Sequence, residues 1–274
     1  MASVIIPAHN ESSVIKRCID SVIHQADVDQ IIVACNGCTD DTAEQARTYG
    51  DAVLCLDIAQ PSKVNALNEA EKYVTSWPVF YLDADIELVD GAISRVVEGM
   101  QETGYLLAAP EPVIRLQHSS WLVQQYYKVW YQLPYIRSGI VGTCSFVATQ
   151  EGRQRFDQFP DVISDDGFIR AQFEDHERGN ISGSTVIVHA PRNLRSLVKI
   201  KTRSQLGLLE LKARGLMRFR EQKTYSVSLS SLFFSRDWLA VSIYVGLAVF
   251  MKLRARRQFK ALNSYQWEVD RSSR

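Results

Sequence analysis

The sequence lacks several features that would indicate particular classes of protein. It has no low-complexity run and no repeat of fixed period, which argues against a disordered chain or a solenoid. Its five cysteines are an odd number in or beside apolar segments, a pattern typical of a reducing cytosol. Cys35 and Cys38 have redox or zinc spacing, but without a second pair or a nearby histidine that role is disfavoured. The chain starts on a strand-like segment, so we expect no signal peptide.

The chain also lacks a net charge, yet its charges are unevenly distributed. Lysine and arginine number 31, as do aspartate and glutamate. From Arg192 to Lys260, however, there are 16 basic and 3 acidic residues, so this segment carries +13 and the remainder −13. Such a segment favours an anionic partner, with a solvated basic face as the alternative. We expect no nucleic acid, because the aromatic residues there do not alternate with basic ones.

The most apolar part of this basic segment is short for a membrane span. Trp238–Met251 has 14 residues without a charge and is followed directly by five basic residues. A spanning helix needs about 20 apolar residues. We therefore expect residues 238–260 to form a helix that lies in the membrane interface, with its basic end on an anionic membrane surface. A buried core helix and a short or re-entrant span are the alternatives.

Apolar, β-branched segments alternate with amphipathic ones along the chain. Strands are predicted over 3–6, 30–34, 52–56, 79–82 and 105–113. Helices are predicted over 11–25, 62–75, 90–102 and 117–133, and a further helix is predicted to begin near residue 39. A loop from Gly139 enters a strand ending at Val147. This alternation predicts an α/β fold with a doubly wound, mostly parallel sheet and helices on both faces. Ligands of such sheets bind beyond the carboxyl ends of the strands, so the loops after Ile6, Ala34 and Leu82 should meet at one cleft.

Two aspartates follow the strand predicted over 79–82. Asp83 and Asp85 are two positions apart, so in an extended chain their carboxylates point to the same side. Such carboxylates repel one another unless a cation lies between them. Mg²⁺ is typically bound by one or two carboxylates together with substrate phosphates. The pair therefore indicates a metal site, with solvated turn acids as the alternative.

Four polar motifs occur in a characteristic order in the first third of the chain. They are Pro-x-x-Asn-Glu at 7–11, Asn-Gly-x-Thr-Asp at 36–40, Lys-x-x-Ala-Leu-Asn at 63–68 and Asp-Ala-Asp at 83–85. In this order and spacing they resemble the motifs of family 2 glycosyltransferases, which have the GT-A fold. The resemblance covers about residues 1 to 90 and implies an enzyme that uses a nucleotide-sugar donor.

Weaker similarities occur later in the chain. Ser164-Asp165-Asp166 lies at a turn before an apolar helix expected near Phe168, and it resembles the acidic pair that supplies the catalytic base in inverting members. Residues 199–207 resemble a diverged form of the basic motif that follows that pair. The full Gln-x-x-Arg-Trp motif is absent, which argues against processive polymerisation. Residues 267–274 resemble the ending of bacterial exopolysaccharide-type members.

The resemblance implies roles for residues around the donor. Pro7, His9 and Glu11 would line the nucleoside pocket. Asn36 would face the base, where many relatives carry aspartate, so the base is not predicted from this motif. Lys63 would balance the negative charge of the donor.

It also implies the chemistry. Asp85 would bind the metal, Mg²⁺ or Mn²⁺, and Asp83 would contact the ribose or a metal-bound water. Arg203 would contribute to donor binding. Asp166 would be the catalytic base, with Asp165 as the alternative; these acids could instead only cap the following helix.

An aromatic-rich helix predicted over 117–133 could contribute to the acceptor site. Its aromatic residues are Trp121, Tyr126, Tyr127, Trp130 and Tyr131. Core packing explains most of them. One or two could belong to a surface that binds a sugar or lipid acceptor.

The expected reaction is transfer of a sugar from a nucleotide diphosphate sugar to a hydroxyl of a saccharide or lipid-linked acceptor, with inversion. A UDP-sugar is the expected donor. The metal stabilises the leaving diphosphate and a carboxylate takes the hydroxyl proton. A nucleotidyltransferase acting on sugar phosphates is one alternative, although the loop after the first strand is neither glycine-rich nor basic. A catalytically inactive binding or scaffold protein is the other.

The domain organisation follows from these motifs. Residues 1–195 form the catalytic domain, with a nucleotide-sugar-binding half (1–115) and an acceptor-binding half (116–195). Residues 196–274 form a basic, helical C-terminal region. We expect a cytoplasmic protein, peripheral on the inner face of the cytoplasmic membrane; its oligomeric state is not predicted.

Overall fold

The computed structural model describes residues 1–133, 136, 144–219, 237–262 and 265. Four parallel strands form the first half of a sheet of eight: β1 (Ala2–Ala8), β2 (Val28–Asn36), β3 (Leu54–Ile58) and β4 (Val79–Leu82). The helices that follow the first three strands are α1 (Ile15–Ile23), α2 (Thr42–Arg47) and α3 (Lys63–Glu71). The predicted alternation of strands and helices is therefore confirmed in this half.

The second half of the sheet is mixed. Its strands are β5 (Ile86–Leu88), β6 (Leu107–Arg115), β7 (Ser145–Ala148) and β8 (Arg178–His189). The complete order is β3-β2-β1-β4-β7-β6-β8-β5. Strand β7 is antiparallel to both β4 and β6, β8 is parallel to β6, and β5 is antiparallel to β8.

Six further helices accompany this half in the described part of the chain. They are α4 (Ala92–Thr103), α5 (Trp121–Trp130), α6 (Gln150–Arg153), α7 (Asp165–Arg170), α8 (Leu194–Ala213) and α9 (Trp238–Phe259). Two short 3-10 turns cover Gly50–Ala52 and Asp175–Glu177.

The sheet is covered on both faces, as an α/β fold requires. One core cluster joins one face to the apolar sides of α1, α2 and α4. A second joins the other face to α3, α7 and the end of α8. Strand β1 is buried along its whole length, which explains its continuous apolar sequence. In α1 the residues Ile15, Cys18, Ile19 and Val22 form the buried stripe.

Sequence patterns missed three elements and misplaced the start of a fourth. Strand β5 is only three residues long, and β8 contains Gly179 and Gly183, which weaken an apolar pattern. Helix α6 has only four residues, too few to show a helical period, whereas α8 lies almost entirely in the region 196–274 that was predicted to be helical. Helix α7 begins at Asp165 rather than near Phe168, because Ser164 caps it. The predicted loop from residue 139 and the tail 267–274 lie outside the described residues.

A third cluster joins α5, α8 and α9 beside the sheet. It contains Tyr126, Trp130, Leu197, Tyr244 and Met251. The helix predicted over 238–260 is present, since α9 continues from Trp238 through the basic residues to Phe259. By length and composition α9 could cross a membrane, and 28% of its most apolar stretch is buried against the protein. One side of α9 therefore packs on the molecule while the other stays open.

Candidate active site

The two aspartates after β4 lie on either side of a buried alanine in the chain. Leu82 and Ala84 are buried at 1% and 4% exposure, whereas Asp83 and Asp85 are half-buried. The backbone of Asp83 is fixed on two sides: its N–H donates to the carbonyl of Cys144 at 2.9 Å, and its carbonyl accepts from the Cys18 thiol at 3.6 Å. Ala84 and Asp85 lie in a turn, so the predicted same-side arrangement of the two carboxylates stays a prediction.

Lys63 joins the first acidic motif to the second. It is the first residue of α3, whose N-cap Ser62 accepts a hydrogen bond from the Asn65 N–H. Its Nζ lies 2.7 Å from Oδ1 of Asp83 and 2.9 Å from Oδ2 of Asp165. Burial opposes its charge, but the carboxylates of Asp165 and Asp83 outweigh burial and raise the pKa of Lys63. The lysine therefore stays charged between the two carboxylates.

The acidic pair occupies the first turn of α7, and its two members differ in environment. Asp165 is buried at 5% exposure, and burial raises the pKa of its carboxyl although Lys63 lowers it. Asp166 is half-buried, and its Oδ1 accepts from the Ser164 hydroxyl at 2.6 Å and the Gly167 N–H at 2.8 Å. No described residue donates a hydrogen bond to Asp166 Oδ2. One oxygen of Asp166 is thus fixed while the other is available to a ligand.

Helix α8, which lies almost entirely in the region 196–274 predicted to be helical, packs behind this turn. Glu210 accepts a hydrogen bond from the backbone N–H of Ile163 at 2.8 Å, and Arg214 holds its other oxygen at 3.0 Å. Gly207 lies so close that a Cβ there would be 2.5 Å from the Cβ of Ser164. The position of the acids therefore depends on a helix far away in sequence.

The loops after β1 and β2 are tied together. The Asn10 side chain accepts from the Thr39 N–H at 2.7 Å, and His9 Nδ1 is 2.6 Å from the carbonyl of Asn36. The N–H of Glu11 donates to the Thr42 hydroxyl at 2.8 Å, and Glu11 itself is 7% exposed. The two predicted nucleoside motifs thus form one continuous wall.

Asn36 has a structural role at this wall. It is buried at 3% exposure, and its side-chain amide donates to the carbonyl of Ala8 at 2.9 Å. This bond joins the ends of β1 and β2. The predicted contact between Asn36 and a base stays a prediction.

A single cavity of about 520 Å³ connects these features to the C-terminal helices. Six of the predicted site residues line it: Pro7, Lys63, Asp83, Asp165, Asp166 and Arg203. His9, Glu11, Asn36 and Asp85 are not among its lining residues. The opposite wall consists of Tyr126 and Trp130 from α5 together with side chains of α8 and α9. The cavity therefore draws on both sides of the boundary predicted at residue 195.

Few of the described side chains could bind a divalent cation at this site. Among the described residues no group of three or more histidine, cysteine, aspartate or glutamate side chains surrounds a common point. The carboxylate of Asp85 has no hydrogen-bond or ion-pair partner in the described part of the chain, and Lys63 contacts only one oxygen of Asp83. One or two carboxylates suit a hard cation that takes its remaining ligands from phosphate and water. The residues present therefore fit Mg²⁺ or Mn²⁺ bound together with a diphosphate.

A further polar group beside Asp85 was missed in the sequence. His189 Nε2 lies 2.7 Å from Glu87 Oε1, and Arg17 Nε lies 3.1 Å from the same oxygen. Arg17 also donates to the Asp85 carbonyl at 3.4 Å. His189 is the last residue of β8, which pairs with β5. Its position beside Glu87 could have been predicted only if β8 had been recognised in the sequence. These contacts fix the segment that carries Asp85.

Comparison with known proteins identifies the family of the chain. The family profile described as Glycosyl transferase family 2 matches residues 3–147, more than half of the 274-residue chain. A chondroitin synthase of Pasteurella multocida (strain Pm70) and a hyaluronan synthase of Pasteurella multocida are each 32% identical over 97 residues. The matched segment is 34% of this chain, and the chain spans only 10% of each of these relatives.

Solved structures share the fold over most of the chain. A mannosyltransferase from Pyrobaculum calidifontis in complex with GDP-Man and Mn²⁺ has a TM-score of 0.62 at 16% identity, covering 97% of this chain and 81% of its own. Glucosyl-3-phosphoglycerate synthase from Mycobacterium tuberculosis, in complex with Mn²⁺ and UDP-glucose, has a TM-score of 0.55 at 19% identity, covering 81% and 80%. Because the profile covers the parallel half and these structures reproduce the architecture, the chain has the GT-A fold and belongs to glycosyl transferase family 2.

Proposed function

We propose that the protein transfers a sugar from a nucleotide diphosphate sugar to an acceptor hydroxyl with inversion, in a reaction that depends on Mn²⁺ or Mg²⁺. The observation that carries the proposal is the cluster of Lys63 between Asp83 and Asp165, with Asp166 beside it in the same cavity. The structural neighbours in complex with GDP-Man or UDP-glucose and Mn²⁺ support a donor of this class.

The donor would bind across the carboxyl ends of β1, β2 and β4. The wall formed by Pro7, His9, Glu11 and Asn36 would hold the nucleoside, with a UDP-sugar as the expected donor. Asp85 and Asp83 would hold the cation, which supplies positive charge to the leaving diphosphate. Arg203 lines the same cavity and would add a second positive charge near the donor.

Asp166 is the proposed base. Ser164 and Gly167 hold its Oδ1, so its Oδ2 faces an incoming hydroxyl in a fixed orientation. Removal of the hydroxyl proton by Oδ2 allows the oxygen to attack the anomeric carbon from the side opposite the diphosphate. Asp165 is less suited, because it is buried and paired with Lys63. Its role would be to hold Lys63 next to Asp83.

The test of this assignment compares two substitutions on one loop. Asp166→Asn should lose transfer activity by at least about a hundredfold, the size expected for a general base, while Mn²⁺-dependent donor binding persists. Asp161→Asn, in the exposed part of the same loop, is the matched control. The anomeric configuration of the product, read by NMR, tests inversion. A retained configuration, or transfer by Asp166→Asn at the control rate, would refute the assignment.

Membrane association is part of the same proposal. Six large apolar side chains on α9 are exposed: Trp238, Leu239, Val245, Val249, Phe250 and Leu253. The basic residues of its last two turns follow them. This combination suits a helix in the interface of an anionic membrane. The protein would then act at the inner face of the cytoplasmic membrane.

A further inference from the structure

Three of the five cysteines come together where the first strands of the sheet end. Cys35 is the penultimate residue of β2, and Cys38 lies in the loop that follows it. Cys55 belongs to β3, which pairs with β2. The Sγ atoms of Cys35 and Cys55 are 3.9 Å apart. The sequence shows the spacing of Cys35 and Cys38, but only the pairing of β2 with β3 brings the third thiol beside them.

The loop after β2 brings Cys38 back to the end of that strand. The chain bends at Gly37, whose φ of 56° is a conformation that glycine adopts readily. The Cys38 thiol then donates to the carbonyl of Ala8 at 3.5 Å. In the sheet, Ala8 is the partner of Cys35. The side chain of Cys38 therefore lies at the paired strand ends, next to the Cys35 thiol.

The three thiols differ in their access to solvent. Cys35 is completely buried, whereas Cys38 and Cys55 are half-buried. A small molecule could therefore reach Cys38 or Cys55 but not Cys35. Structural cysteines are typically buried in apolar surroundings and inert. Here a buried thiol instead has two accessible thiols beside it.

Cys38 is the thiol best prepared to react. The neighbouring Cys35 thiol lowers the pKa of Cys38 to about 6, and it also lowers the pKa of Cys55. Cys35 has one thiol hydrogen, so it can donate to only one thiolate at a time. Cys38 has further support from the Asn10 N–H and from His9. At neutral pH Cys38 is therefore a thiolate, which is the nucleophilic form.

We propose that Cys38 and Cys35 form a site of reversible oxidation by hydroperoxides, in which a disulfide closes between them. The Cys38 sulfur attacks the terminal oxygen of the hydroperoxide. An S–O bond forms, the O–O bond breaks, and the alkoxide takes up a proton and leaves as an alcohol. The Cys35 sulfur then attacks the Cys38 sulfur. An S–S bond forms, the S–O bond breaks, and the hydroxyl leaves as water with the Cys35 proton. The two thiols together lose two electrons, which the peroxide gains.

The environment of Cys35 sets the order of these steps. Its contacts with Cys38 and Cys55, and then its burial, raise the pKa of the Cys35 thiol. The buried thiol therefore stays protonated while Cys38 is a thiolate. Conversion of Cys38 to a sulfenic acid removes that negative charge, and with it the largest cause that holds the proton on Cys35. Cys35 then becomes able to react.

Reach disfavours the other disulfide that Cys35 could form. Cys55 pairs with Val33, whereas Cys35 pairs with Asp57, two residues further along β3. Strands are about 4.8 Å apart and rise about 3.3 Å per residue, so the Cα atoms of Cys35 and Cys55 are roughly 8 Å apart. A disulfide needs about 7 Å or less. Cys35 and Cys38 share one bend of the chain, which can tighten without moving a strand.

The disulfide would disturb the wall formed by the loops after β1 and β2. The sulfur atoms of a disulfide are about 2.05 Å apart, and Cys38 would no longer have a hydrogen for the Ala8 carbonyl. The next residue, Thr39, donates its N–H to the Asn10 side chain at 2.7 Å and so ties the two loops together. The oxidised protein should therefore bind a nucleotide more weakly. This consequence rests on the proposed function, since it assumes that the donor binds at this wall, whereas the oxidation itself does not.

The first experiment locates the disulfide in the full-length protein. The protein is treated with hydrogen peroxide, its free thiols are blocked with N-ethylmaleimide in urea, and it is digested with trypsin. Cys35 and Cys38 then lie in one peptide, 18–47. Cys55 lies in the next peptide, 48–63. The expected product is peptide 18–47 without two hydrogen atoms and with its remaining cysteine blocked, as fragment ions show. A cross-link between the two peptides, or a peptide 18–47 with all three cysteines blocked, would overturn the proposal.

Two matched serine substitutions test which thiol reacts first. Cys38→Ser should leave Cys35 reduced in peroxide, because a completely buried thiol is not reached from solvent. Cys55→Ser removes the other half-buried thiol of the cluster and should still form the disulfide. Oxidation of Cys35 in Cys38→Ser, or loss of the disulfide in both variants, would overturn the proposal.

Nucleotide binding separates the oxidation from the donor site. The Kd values for UDP and GDP with Mn²⁺ are measured before oxidation, after it, and after reduction with dithiothreitol. Oxidation should raise the Kd of the nucleotide that binds about tenfold, the size expected for loss of one or two hydrogen bonds, and reduction should restore it. In Cys38→Ser, peroxide should change the Kd less than twofold. An unchanged Kd in the oxidised wild type would overturn the effect on the wall. A protein that forms the disulfide but binds neither nucleotide when reduced would refute only the proposed function.

Discussion

The part of the molecule that is proposed to bind the donor, called the donor end, differs in construction from the part that is proposed to bind the acceptor, called the acceptor end. The donor end consists of loops that follow parallel strands, and short polar contacts such as that between Asn10 and Thr39 tie those loops together. The acceptor end consists of three helices, α5, α8 and α9, which meet through aromatic and apolar side chains. The comparison shows that the donor end depends on motif residues, whereas the acceptor end depends on how distant helices pack.

The largest expected effect tests whether the donor end depends on the positive charge of Lys63. Lys63→Met leaves the carboxylates of Asp83 and Asp165 close together without a positive charge, which should destabilise the protein by roughly 3 kcal/mol. The matched control is Lys72→Met directly after the same helix, where the exposed pair with Glu69 contributes at most about 1 kcal/mol. Urea unfolding of both variants measures the difference, and equal stabilities would contradict the account.

The loss in Lys63→Met should also depend on pH. Burial raises the pKa of Asp165 in the folded protein, so its charge costs stability progressively as the pH rises through that raised value. Lys63 offsets this cost while it is charged. The destabilisation should therefore be smaller at pH values below the raised pKa of Asp165 and larger above it. A loss that does not vary with pH would show that the lysine acts through packing alone.

The next effect tests whether α8 positions the turn that carries Asp165 and Asp166. Gly207→Ala forces a Cβ against Ser164 and should cost about 1–3 kcal/mol while also lowering kcat. Gly246→Ala in α9 is the control, since a Cβ there meets no atom within 4 Å. It should stabilise the helix by up to about 1 kcal/mol. An unchanged kcat in Gly207→Ala would show that α8 does not position the acids of the candidate active site.

A smaller effect concerns the open side of α9. Phe250→Ser and Leu253→Ser remove side chains that are 55% and 50% exposed, so the fold should tolerate both changes. Each should lower binding to anionic vesicles about tenfold, because the side chain no longer enters the membrane interface. Tyr73→Ser, 50% exposed on a different part of the molecule, is the control in the same flotation assay. Vesicle binding that matches the control would place the exposed face of α9 away from the membrane.

The smallest effect concerns the wall formed by the loops after β1 and β2. The neighbouring Cys35 thiol lowers the pKa of Cys38 to about 6, and the Asn10 N–H and His9 act in the same direction, whereas burial and Asp40 oppose the shift. Alkylation of Cys38 by iodoacetamide should therefore reach half its maximal rate near pH 6. Cys18 is the internal control, since burial raises the pKa of its thiol. Mass spectrometry of labelled peptides measures both; a Cys38 midpoint near pH 8 or above would contradict the contact.

Sequence reasoning predicted the donor end because its signals are local. The alternation of apolar segments located β1, β2 and β4, and Asp83 and Asp85 follow β4 directly, as the sequence predicted. The acceptor end was predicted only in part. The pair between Lys63 and Asp165 and the support of Ile163 by Glu210 join segments far apart in the chain. Nothing in local periodicity specifies such contacts.

The last helix, α9, was also predicted only in part. The apolar segment from Trp238 predicted a helix, but its packing against α5 and α8 depends on tertiary contacts of Tyr244 and Met251. Periodicity alone could not distinguish the buried side of α9 from the exposed one, because both sides are apolar. The prediction of an interfacial helix and the finding of a cavity wall are compatible, since they concern opposite sides of α9.

The most direct test of the central claim is Mn²⁺-dependent release of nucleoside diphosphate from a panel of nucleotide sugars. The wild-type protein should act on at least one donor, and Asp85→Asn should reduce the rate at least about a hundredfold because the cation loses its principal ligand. Asp90→Asn, exposed shortly after β5, should retain the wild-type rate. Equal rates for Asp85→Asn and Asp90→Asn, or a wild-type rate unaffected by removal of the metal, would contradict the account.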